Sequence, residues 1–327
     1  MLLNILKINN YLVYVYLFLL VLIVGIFSIN YTANAPVFGN SILSFFLQQD
    51  NYGIVSKIIG IILLLANVLL FDLFINSQEV VEKNNHVPSF LLSIFLCYAI
   101  SLNPLHPMLF AQLLLSASLW FFISIYKTDR VYSPIFNGAF CLSVATIIYP
   151  PYSLFIMLCF ICLLILRTFS LRGWLLTLLG IFLPYFFYFS LLFLCDKTPQ
   201  QVFLNLRDSF HAPSMPAYLK GSFLINFSVI TIAGFALIFF LIKTVSNKIK
   251  TQKAFVIFLW MIIFSAPTWF IVSTGAAFSG LLSAMPLSVF CGIYLGNAKS
   301  RILAELLTWV LLILFVVSML QQASVIN

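Results

Sequence analysis

From Pro134 to Leu166 the chain runs 33 residues without an Asp, Glu, Lys or Arg, and Pro150 and Pro151 stand side by side at its centre. A membrane-crossing helix needs about 20 apolar residues to pass ~30 Å of hydrocarbon. The run is therefore too long for one straight crossing. It is either a single bent helix or two short ones, 134–149 and 152–166, that turn at the prolines. Each half would reach only about 23 Å as helix. The choice decides which side of a membrane every later loop faces.

The rest of the chain has the same character. Hydrophobic residues make up 63% and charged residues 7%, against roughly a quarter charged in a soluble domain. The 36 Phe are spread throughout, so no segment reads as a separate soluble domain, and residues 1–327 form one transmembrane unit. Apolar runs predict eleven spans near 11–29, 53–75, 88–102, 108–126, 134–149, 152–166, 174–195, 222–242, 254–273, 281–296 and 302–322. The expected fold class is all-α, a polytopic helical membrane protein. The N-terminal run from Tyr11 to Ile29 is longer than a signal-peptide core, and Pro36 follows the Ala33-Asn34-Ala35 motif, so it reads as a retained first helix.

Charge counting decides the question at the prolines. With two crossings between Pro134 and Leu166 and Lys7 inside, twelve basic residues fall on the cytoplasmic side. Only Lys57, Lys197, Arg207 and Lys220 fall outside. A single bent crossing changes the split to seven inside and nine outside. Lys and Arg collect in cytoplasmic loops, so two crossings are expected, with Pro150-Pro151 as an outward-facing hairpin tip. Proline suits that place, since it ends one helix and opens the next. The N-terminus is then cytoplasmic, the C-terminus periplasmic, and the compartment the inner membrane.

The net charge of +8 is thus a matter of orientation and gives no reason to expect a nucleic-acid partner. No GxxxxGK[ST] or GxGxxG occurs, which argues against a nucleotide site. Cys159 and Cys162 have CxxC spacing but lie inside an apolar run without further ligands, and they read as small buried residues. No metal cluster and no cofactor is expected.

Two outer loops of some length remain, 30–52 and 196–220. In the second, QQVFLNLRDSF sets Val202, Phe203, Leu206 and Phe210 on one face of a short interfacial helix, with Arg207 and Asp208 towards water or a headgroup. Arg207, His211 and Lys220 have the chemistry to grip a phosphate; the plain alternative is contact with lipid headgroups. The first loop holds SILSFFLQQD, a second flat amphipathic stretch ending at Asp50. Asp50 and Lys57 fall two helical turns apart and can share a face, as an ion pair or as part of a site. His106, between Pro104 and Pro107, is a turn residue or a ligand at the same outer face. Asp72, in VLLFDLFIN, is the most membrane-embedded acid, a proton relay or a capped structural residue. Glu305 follows Arg301 by one helical turn and reads as its partner.

EKNNHVPSFLLSIFLCYAI and SPIFNGAFCLSVATIIYPPYSLFIMLCFICLLILRTFSLRGWLLTLLGIFLPYFF, spanning roughly residues 75 to 190, resemble a family of multi-pass inner-membrane proteins of Bacteroidota that carries no known activity. More widely, one helix, an outer loop, six spans, a second outer loop and a closing set of helices is similar to the GT-C class of membrane glycosyltransferases. GAFCLSVATIIYPPYSLFIM and GLLSAMPLSVFCGIYLG look like helices that flank the site of those enzymes. The resemblance implies that interfacial helices in loops 30–52 and 196–220 take a polyprenyl-phosphate-linked sugar at the periplasmic face. Asp50 or Asp208 would be the general base, and Arg207, His211, Lys220, Lys57 and His106 would bind substrate. GT-C enzymes usually carry an acid just after the first helix; here SINYTANAPVFGNS has none. The rival expectation is therefore a non-catalytic scaffold among other envelope membrane proteins, and a third is a secondary transporter. Membrane lipids are partners in every case.

Overall fold

The computed structural model describes residues 53–81, 85–102, 106–126, 131–166, 170–194, 249–267 and 282–297, with single positions at 15, 18 and 19 and within 305–313. Among them the fold is all-helical, without a strand. The helices are α1 (Gly53–Ser77), α2 (Val87–Leu102), α3 (Pro107–Ser124), α4 (Tyr132–Ile148), α5 (Ile156–Leu166), α6 (Leu171–Leu194), α7 (Ile249–Ser265) and α8 (Ala284–Asn297). A 3-10 helix, Pro150–Phe155, precedes α5. Eight of the expected spans thus coincide with helices. The expected spans 11–29, 222–242 and most of 302–322 lie outside the described residues. Among the described residues, three segments are long and apolar enough to cross a membrane: Ile58–Ser77, Pro107–Ser124 and Leu171–Leu194.

Local chemistry sets the helix ends. α1 stops where Glu79 takes a left-handed conformation, φ 53°. The Val80 N–H then reaches back to Ile75 O (3.0 Å) and the Glu79 N–H to Asn76 O (3.4 Å), satisfying carbonyls the helix leaves open. α2 begins after Asn85, whose side chain accepts the Val87 N–H (3.1 Å), with Pro88 in its first turn. α4 ends at Tyr149, which is extended (φ −135°, ψ 98°), because the ring of the following proline disfavours helical backbone in the residue before it.

Contacts between helix ends fix the direction of each helix. Lys250 Nζ donates to Gln78 Oε1 (3.0 Å), and the Thr251 hydroxyl to Glu79 O (3.1 Å). Lys253 Nζ donates to Leu166 O (3.4 Å) and lies 5.1 Å from the centre of the Tyr126 ring. The start of α7 therefore meets the ends of α1, α3 and α5 at one end of the bundle, here called the basic end. At the opposite end, His106 packs edge-on against Tyr149 (5.4 Å). α4 climbs away from the basic end to Tyr149, and α5 returns to it at Leu166. The chain turns back at Pro150-Pro151.

The turn differs from an exposed hairpin tip. Pro151, Tyr152 and Phe155 are buried, and the prolines open a turn of 3-10 helix that dives directly into the core. Tyr152 meets Tyr149 edge-on (5.8 Å) and Phe155 at a tilt (5.6 Å), so aromatic packing draws the tip inward.

α6 runs parallel to α4. Gly173 lies beside Ile135, the Ser143 hydroxyl donates to Ile181 O (2.7 Å), and the Thr146 and Tyr185 oxygens are 2.7 Å apart. Only Gly173, Thr177, Gly180 and Pro184 of α6 are buried, a stripe of small residues that lets two backbones approach. Its opposite face is apolar and open: Leu175, Leu179, Phe182, Phe186, Leu191 and Phe193 are all exposed. Such a surface is unfavourable in water and ordinary in lipid. α7 and α8 close the other flank, with Phe74 against Phe258 (6.3 Å), Phe255 against Phe290 (6.4 Å), and Gly292 pressed on Pro88.

Candidate functional site

Two polar clusters interrupt this apolar core. The first lies near the basic end, where the left-handed turn at Glu79 folds α2 back along α1. Asp72, on α1, is fully buried, and His86 and Ser89, from the start of α2, are buried against it. Ser89 Oγ donates to Asp72 Oδ1 at 2.7 Å. His86 Nδ1 lies 2.8 Å from Oδ1 and 2.9 Å from Oδ2 of the same carboxylate. Asn76, one turn along α1, gives its amide to Asp72 O (3.1 Å) and, more weakly, to Oδ2 (3.3 Å). The carboxylate is thus ringed by three donor side chains, the arrangement a buried negative charge requires. The His86 ring nitrogen facing it is Nδ1, which presents its N–H to both oxygens.

The second cluster sits towards the opposite end. Asn67 Nδ2 donates to Leu63 O (2.8 Å) and across to Leu109 O (2.9 Å), tying α1 to α3. Gln112 Oε1 accepts the hydroxyl of Tyr152, and both residues are fully buried. Asn67 Oδ1 and Gln112 Nε2 meet no hydrogen-bonding partner among the described residues. His106 caps α3, its Nδ1 accepting the Met108 N–H (3.1 Å), so its proton is on Nε2. Burial pushes this imidazole down to about 3, and it is a neutral ring.

Of the residues expected to form a site, the structure describes His106 in full and only the backbone of Lys57, in the second turn of α1. His106 is buried and caps α3. Asp50, Arg207, Asp208, His211 and Lys220 lie outside the described residues. Asp72, expected near the end of its span, is brought together with His86, Ser89 and Asn76. None of these three partners was anticipated from sequence. A signal was available in the spacing: an acid and an amide at i and i+4 near the end of one helix, followed by a His immediately before a Pro-opened helix. Two antiparallel helices joined by a short connector bring such residues level. No known protein family matches this chain, nor does any curated protein or solved structure.

Proposed function

We propose that this is a multi-pass inner-membrane protein of GT-C-like architecture that works on a polyprenyl-linked glycan or lipid headgroup at the periplasmic face. One observation supports the reading. α1 starts, and α6 stops, at the end of the bundle remote from Lys250 and Lys253. Loops 30–52 and 196–220, which hold Asp50, Arg207, Asp208, His211 and Lys220, therefore attach at one face, and Lys250 and Lys253 stand at the other. Basic residues collect on the cytoplasmic side of membrane proteins, which supports a periplasmic position for the loop face. The open apolar surface of α6 suits lipid contact beside that face. In this reading Arg207, His211 and Lys220 hold phosphate oxygens, and Asp50 or Asp208 takes the proton of the acceptor.

The test combines native mass spectrometry of the gently purified protein, for bound polyprenyl phosphate, with complementation of a deletion strain at matched expression. Arg207→Ala should weaken lipid-phosphate binding by roughly 1.5–3 kcal/mol, the range for hydrogen bonds to charged groups. Asp208→Asn or Asp50→Asn should stop turnover with binding retained. If all three variants complement fully and the wild type carries no polyprenyl phosphate, the enzymatic reading fails. A partner protein co-purifying at fixed stoichiometry would then mark the chain as an envelope scaffold.

A further inference from the structure

We propose that α6 is hinged at Gly180 and Pro184, and that its outer half, residues 185–194, remote from the basic end, docks reversibly on α4 through a latch between Tyr185 and Thr146. Pro184 stands inside the helix and has no N–H, so the Gly180 carbonyl loses its usual donor four residues on. The proline ring also crowds that same carbonyl. In lipid an interrupted backbone ladder has to be met by a neighbouring helix. α4 does so: the Ser143 hydroxyl donates to Ile181 O, the next carbonyl along (2.7 Å). Gly180 fixes the pivot. A Cβ there would stand 2.9 Å from both Ala139 Cβ and Phe136 O, so the α6 backbone touches α4 directly at this level.

The packing changes at the same place. On the inner side of the hinge, Gly173, Thr177, Gly180 and Pro184 are buried. None of residues 185–194 is, and Phe186, Phe187, Phe189, Leu191, Phe193 and Leu194 are exposed. Two apolar helices in lipid gain no hydrophobic free energy by meeting, so close packing and hydrogen bonds decide whether they stay together. Beyond the proline, a hydrogen bond joins Tyr185 to Thr146, their oxygens 2.7 Å apart. The Thr146 hydroxyl donates to Ser143 O (2.6 Å), which makes Tyr185 the donor of the pair.

Opening this latch costs little. Thr146 keeps its bond to Ser143 O in either state. It lies two residues before the end of α4, about 3 Å along the axis, so a freed Tyr185 hydroxyl finds water or headgroup oxygens close by. Few buried contacts and an interrupted backbone ladder are what local opening requires. The half that moves is the one that reaches the remote face, while the inner half stays on α4. The hinge is independent of any substrate, and distances alone test it.

Double electron–electron resonance on the full chain in nanodiscs reads both halves of α6 against α5. Labels at Met157 and Leu191 report the outer half, and labels at Leu164 and Leu175 the inner half; all four positions are exposed. The outer pair should show two distances in the wild type, and the inner pair one. Pro184→Ala returns a donor to Gly180 O and should merge the outer distances into one. Thr146→Val removes the acceptor in the docked state alone. It should raise the undocked-to-docked ratio about 2- to 12-fold, the worth of one hydrogen bond between neutral groups. An inner distance equal to that of the wild type marks each variant as folded. A single outer distance in wild type and Thr146→Val alike overturns the proposal. So do two outer distances that Pro184→Ala leaves unchanged, or an inner pair as heterogeneous as the outer one.

Discussion

The Tyr152–Gln112 pair permits a prediction whose sign depends on an asymmetry. Gln112 Oε1 receives the Tyr152 hydroxyl, but its Nε2 finds no acceptor among the described residues. The amide therefore already bears a desolvation penalty of about 1–3 kcal/mol, and the shared hydrogen bond returns about 0.5–1.5 kcal/mol. Tyr152→Phe strips the amide of its remaining partner and should cost about 1–3 kcal/mol. Gln112→Leu orphans the phenol but also removes the unpaired N–H2, so these terms nearly cancel. The double variant removes every buried polar atom of the pair at similar volume. It should be at least as stable as wild type, by up to about 2 kcal/mol. The expected order is double variant first, then wild type and Gln112→Leu together, and Tyr152→Phe last. Reversible unfolding in lipid or mild detergent, followed by tryptophan fluorescence, measures it. If Gln112→Leu is the worst of the set, by more than about 2 kcal/mol, the reasoning is refuted. Nε2 would then be holding something the helices themselves do not supply.

Two further outcomes follow from named contacts. A Cβ at Gly180 would stand 2.9 Å from both Ala139 Cβ and the Phe136 carbonyl oxygen, where backbone must move to make room. Gly180→Leu should force α6 off α4 and cost about 1–3 kcal/mol, and double electron–electron resonance between labels at Phe140 and Leu179 should report the widened gap. His106 is held neutral, with its folded value of about 3 below the ordinary 6.5 of an unfolded histidine. Its contribution is complete above about pH 6.5 and is lost as pH falls towards 3, because only the unfolded chain takes up the proton. His106→Asn keeps a capping acceptor but does not titrate. The difference in unfolding free energy between the two proteins should change by about 1.4 kcal/mol per pH unit in that window, and parallel curves would show that the cap does not titrate as argued.

The positions of the helices were legible in the sequence because a long apolar run must satisfy its backbone polar groups internally, and a helix does this within one segment. The turn at Pro150-Pro151 was legible too, from counting Lys and Arg on either side of it, and the fold reverses at those residues. Which side chains meet was a different matter. Asp72 could be picked out as a rare embedded acid, but its partners stand on another helix, and only the turn at Glu79 brings His86 and Ser89 level with it. Tyr152 reads as the exposed tip of a hairpin until the 3-10 turn places it against Gln112, a residue 40 positions away. The open face of α6 and its stripe at Gly173, Thr177, Gly180 and Pro184 have the same origin. Its hydrophobicity is nearly uniform around the axis, so composition cannot say which side is packed, and small residues face inward only because α4 lies there. In a chain where nearly every surface is apolar, burial no longer follows from hydrophobicity, and contact has to be decided by shape and by the few polar atoms that must find one another.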